Sequence, residues 1–121
     1  MARPEAVRRV KSYSAATGYV YQYYFYEVQK TRREGAAGSE YVYMVSADRK
    51  NVFPLRIFVQ RDGVDKWSRA AGRELTGTEE YAVAKMRFFE ALDEIPNLTG
   101  GHPPLVVDGS NIEALLAQLD I

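Results

Sequence analysis

The chain has 121 residues, 46% of them apolar and 26% charged, with zero formal net charge and no cysteine. That suits one globular domain, burying roughly two thirds of the surface its unfolded form exposes. It excludes disulfides, thiolate catalysis and zinc sites built on sulfur.

The N-terminus carries no long apolar run, so neither a signal peptide nor a membrane span is expected, and the default location is cytoplasmic with no membrane partner. Charge is uneven along the chain. Residues 1–33 hold seven Lys/Arg against two Asp/Glu, residues 34–73 seven against five, and residues 74–121 two against nine. Such a gradient reads as a basic half for a polyanion or, more simply, as two halves that attract each other within the fold or across a symmetric dimer.

Residues 1–18 read as a basic N-terminal arm or a short helix opened by Pro4, with Val7, Val10 and Ser14 near helical spacing and Gly18 as the break. The stretch Tyr19–Gln29 follows, and it organises the rest. Eight of its residues are β-branched or aromatic and none is Gly or Pro, a composition suited to a pleated, half-buried surface. Tyr19, Tyr21, Tyr23 and Phe25 share one face; Val20, Tyr24, Tyr26 and Val28 share the other. Both faces therefore need cover.

Lys30–Ser39 is polar, contains two glycines and reads as a loop. A second strand is predicted over 40–47, and Asp48–Asn51 has the composition of a turn. A third strand is predicted over 52–60. There Phe53, Leu55, Ile57 and Val59 alternate with Pro54, Arg56, Phe58 and Gln60, and Pro54 marks an edge because it cannot donate to a ladder. The period then becomes helical. Asp62 reads as the cap of a helix over 63–74 with Val64, Trp67 and Ala71 on one side. Thr76-Gly77-Thr78-Glu79 fits a capping box that opens a helix over 78–94, striped by Tyr81, Ala84, Phe88 and Leu92. Leu105-Val106-Val107 is a candidate fourth strand. Ser110–Glu113 fits a second capping box, opening a helix over 111–119.

Strands first and helices after predict an α+β domain over 19–121. It is a three- to four-stranded antiparallel meander with two to three helices on one face. The other face keeps large aromatic side chains, near the limit of what a monomer exposes.

Three chemistries fit these residues. The aromatic face can close on a copy of itself, giving a homo-oligomer, with a dimer favoured. It can instead stack single-stranded nucleic acid. That binding face would draw on Tyr23, Tyr24, Phe25, Tyr26 and Phe58, with Arg32, Arg33 and Arg56 for phosphates; both faces of the first strand are included because the sequence does not rank them. Against that, the motif spacing of an RNA-recognition domain is absent. The third is catalysis. His102 lies alone in a Gly-Gly-His-Pro-Pro loop, and Lys85 falls inside an apolar helical stripe, where a buried amine can act as a base or simply pack its stem. No phosphate loop, nucleophile elbow or metal-ligand spacing appears. The expected function is a non-catalytic, self-associating binding domain without cofactor or metal.

Overall fold

The structure is a computed structural model that describes residues 9–96 and 98–120. Among them are five strands and three helices: β1 (Lys11–Ser14), β2 (Val20–Arg33), β3 (Ala36–Ser46), β4 (Phe53–Gln60), α1 (Arg61–Ala71), α2 (Gly77–Glu94), β5 (Leu105–Val107) and α3 (Ile112–Gln118). The strands form one sheet in the order β1-β2-β3-β4-β5.

The α+β class is as the sequence predicts, with two differences in the sheet. Lys11–Ser14 add a strand in front of the aromatic one, with Tyr13 opposite Tyr21, where an arm or short helix is expected. Residues 1–8, including Pro4 and Val7, lie outside the described residues. The second difference is that β5 runs parallel to β4, Val106 beside Phe58. The sheet is therefore mixed and not purely antiparallel. The α1–α2 crossover returns the chain to the end where β4 began, and only a parallel strand can enter from there.

The Lys30–Ser39 loop is also reassigned. β2 continues to Arg33 and β3 starts at Ala36, leaving a two-residue turn in which Glu34 and Gly35 both have positive φ, 51° and 82°. Tight hairpins take this primed geometry because it matches strand twist. A bulge after Phe25 lets Phe25 face Tyr43 while Glu27 faces Val42, with Tyr26 as the extra residue. Bulges of this kind sharpen the local twist and curl the sheet. Pro54 sits where β4 has only β3 beside it, since β5 reaches no further than Ile57.

One face of the sheet makes the core. Tyr21, Tyr23, Tyr43, Val45, Leu55, Ile57, Val59, Leu105 and Val107 point to it, and α2 and α3 cover them with Val83, Phe88, Leu92, Leu115 and Leu116. The Phe88 ring stacks on Tyr43 at 4.3 Å and 5°, and Tyr13 stacks on Phe89 at 4.4 Å. Such ring pairs add about 0.5–1.5 kcal/mol beyond the area they bury. Tyr13 also donates to Asp93 at 2.7 Å, and the Ala16 amide donates to the other carboxylate oxygen at 2.9 Å. The β1–β2 hairpin is thereby tied to the last turn of α2.

The helix ends obey the sequence in one case out of three. Thr76 and Glu79 form the capping box at α2. At α1 the cap position is Gln60, and Asp62 lies two residues further on, inside the first turn. The α3 box is absent: Asn111 is the cap position, its side chain turned back to accept from the Asp108 amide at 2.9 Å and to donate to the Val106 carbonyl at 2.9 Å. Asp108 captures Ser110 instead, accepting from its amide at 2.9 Å.

Candidate binding surface

The bulge and the strict alternation of β2 divide the aromatic stretch. Tyr23 is 5% exposed and packs edge-on to Phe88 at 5.3 Å. Phe25 meets Tyr81 at 5.3 Å. Both belong to the helix-covered face. Tyr24, opposite Met44, lies on the other side. Tyr26 stays 44% exposed at the bulge. The helix-free face thus carries Val20 and Tyr24 from β2, Val42 and Met44 from β3, Arg56 and Phe58 from β4, and Val106 from β5, by the register of neighbouring strands.

Phe58 and Val42 on this face are nevertheless covered, at 3% and 5% exposure. The reason for Phe58 is Gly38. A Cβ added at Gly38 would meet ring carbons of Phe58 at 2.7 and 2.8 Å, so the ring lies directly on glycine backbone, which a larger residue would prevent. Next to it, Glu40 is buried to 2%. Arg33 donates to one of its carboxylate oxygens, and Arg56 approaches the other at 3.8 Å. The two arginine side chains remain 40% and 42% exposed while the Glu40 side chain is 3% exposed, so the arginines form a lid over a buried acid. Hydrogen bonding to Glu40 holds the Arg33 guanidinium above its ordinary pKa.

The sequence reading places Arg33 in a loop and leaves Glu40 as an ordinary first residue of a strand. The usable signal was the face pattern: Glu40 alternates with Val42 and Met44, and an acid in a half-buried series needs a cation opposite it. Arg32 turns the other way and donates to the Gly35 carbonyl at 2.9 Å. Of the eight residues considered for binding, Arg33 and Arg56 converge, Phe58 lies beside them, Tyr24 and Tyr26 share the helix-free side of β2, and Tyr23, Phe25 and Arg32 are elsewhere.

Lys85 is half-buried on α2 with its ammonium 5.7 Å from the Phe89 ring. Burial, and then the neighbouring Lys11, push its pKa down. His102 points its Nδ1 at the Pro103 carbonyl, 2.7 Å away. An open groove of about 520 Å³ between α1 and α3 is walled by Trp67, Ile112 and Leu116 and includes neither residue. Among the described residues no group of three or more His, Asp and Glu is placed to hold a metal ion, and no helix is long and apolar enough to cross a membrane.

Compared with protein-family models, curated proteins and solved structures, the chain finds no match in any of the three.

Proposed function

We propose that the protein acts by binding rather than by catalysis, and that its partner is a second copy of itself, met on the helix-free side of β2. The supporting observation is the apolar surface that the helix-free side keeps exposed among the described residues, although Phe58 and Val42 on it are covered. Val20, Tyr26 and Val106 are 49%, 44% and 37% exposed, while the helices send their buried side chains into the opposite face. Tyrosine is suited to such a contact, because its ring packs while its hydroxyl stays paired or wet. Zero net charge adds no long-range repulsion between copies, and the basic front and acidic rear of the sequence can attract each other across a two-fold axis.

Single-stranded nucleic acid is the competing reading. It needs free cations and open rings, whereas Arg33 and Arg56 lean on Glu40 and the Phe58 ring is covered. Light scattering at low and high salt separates the two. A dimer that survives high salt supports self-association. A monomer at all salt concentrations overturns it, and titration with single-stranded DNA and RNA then decides the competing reading.

A further inference from the structure

β2 is 14 residues long, and β1 pairs only with Val20–Tyr23. Among the described residues no strand lies beside β2 on that edge from Glu27 to Arg33, a length of roughly 23 Å at about 3.3 Å per residue. Edges are commonly protected by bulges and lysines. Here the bulge sits at the start, after Phe25, and leaves Glu27–Arg33 in unbroken register with β3. Glu27, Val28, Gln29, Lys30 and Arg32 are all exposed. Main-chain groups that no described strand pairs, on such an edge, are a template for another extended strand.

Resting on the self-association reading, we propose that two copies pair antiparallel along this edge, about a two-fold axis at Gln29. Directly opposed residues in an antiparallel pair share a face, so the axis must fall on a residue and not between two. An axis at Lys30 sets two ammonium groups directly opposite each other. An axis at Val28 makes the two short Glu27 side chains diagonal neighbours. At Gln29 neither happens. Glu27 faces the partner's Thr31 with the partner's Arg33 on the diagonal, Val28 lies along the stem of the partner's Lys30, and the two Gln29 amides meet and exchange hydrogen bonds. The Lys30 ammonium groups are then diagonal, on stems long enough to swing into water. The one acid of a basic edge is used twice, and the two sheets join into one, with Tyr24 of both copies on the same side.

The chain has no cysteine, so single cysteines read the register directly. Across the axis, Cα atoms of paired residues stand about 4.5–5.5 Å apart, inside the disulfide range, while a residue one place from the axis is offset beyond about 7 Å. Under mild oxidant, Gln29→Cys is expected to form covalent dimer at least about tenfold faster than Val28→Cys or Lys30→Cys. A scattering dimer in which Gln29→Cys is no faster than its neighbours overturns edge pairing and leaves self-association standing. A monomer overturns both; if removing residues 1–8 then produces the dimer, the edge is assigned to the chain's own N-terminal segment.

Discussion

Glu40 shows how one residue sets the character of a surface. A carboxylate at 3% side-chain exposure is costly unless it is paired, and a buried charge stripped of its partners costs several kcal/mol. The asymmetry predicts unequal effects. Glu40→Gln leaves two arginines that can turn to water, and is expected to cost about 1 kcal/mol. Replacing both Arg33 and Arg56 with alanine strands the acid, and is expected to cost about 2–3 kcal/mol, the full buried-pair figure being reduced because the arginines are 40% and 42% exposed. Urea denaturation midpoints of the two variants check the order; equal losses would show that Glu40 is not the buried partner. The same argument sets the test for Lys85. With burial disfavouring its charge, Lys85→Met is expected to fold and raise the melting temperature, whereas a loss of stability would point to a required ammonium.

At the scale of elements, the turns and caps divide into those fixed by local chemistry and those fixed by their neighbours. The α2 capping box is local, and Thr76→Ala is expected to remove about 1 kcal/mol, measured by thermal unfolding. Gly38→Ala is expected to cost more, because the added methyl would meet the Val59 backbone carbonyl oxygen as well as the Phe58 ring. Legibility in the sequence follows the same division. Alternation over Phe53–Gln60 marks β4, the unbroken aromatic and apolar run Tyr41–Val45 marks β3, and the helical stripe of α2 marks itself. Lys30–Arg33 are strand without any apolar period, since that end of the hairpin projects into solvent and its register comes from β3 and the Glu34-Gly35 turn. β1 is invisible for a different reason: Lys11, Ser12 and Ser14 become strand only through pairing with β2. The α3 cap failed because Ser110 donates both its amide and its hydroxyl to Asp108, which holds the hydroxyl against that carboxylate instead of placing it to accept from the first amides of the helix. The binding candidates were legible as a set, but which face of β2 was covered depended on where α2 packed.

For the whole molecule, titration sets a window of maximal stability. Amides and the side chain of Asn51, with the Lys50 amide, hold Asp48 down at about 2, and Arg73 with the Thr76 amide hold Glu79 down at about 2. Both are protonated more readily in the unfolded chain. Their stabilisation is complete above the usual carboxylate range and is lost as pH falls through about 2. At the other end, the hydrogen bond to Asp93 and burial push Tyr13 up to about 12, and burial pushes Tyr41 and Tyr43 up as well. These phenols stay neutral in the fold after the unfolded chain has ionised. Their contribution is present below pH ~10 and disappears as pH rises toward 12. Stability measured by urea midpoints is therefore expected to be flat between about pH 5 and 9 and to fall on both sides. Tyr13→Phe, which keeps the stack on Phe89, is expected to make the alkaline fall shallower; an unchanged slope would rule out the Asp93 bond as its cause.

The order of the elements has a consequence during synthesis. The four-strand meander ends at Gln60, but the helix that covers its inner face is not finished until Glu94. While the ribosome adds residues 61–94, roughly 2–7 s at about 5–20 residues per second, Tyr21, Tyr23, Phe25, Tyr41 and Tyr43 have no α2 to pack against. A chain that pairs its meander before α2 is made would therefore carry a bare inner aromatic face for that interval, the exposure that makes incomplete folds prone to aggregate.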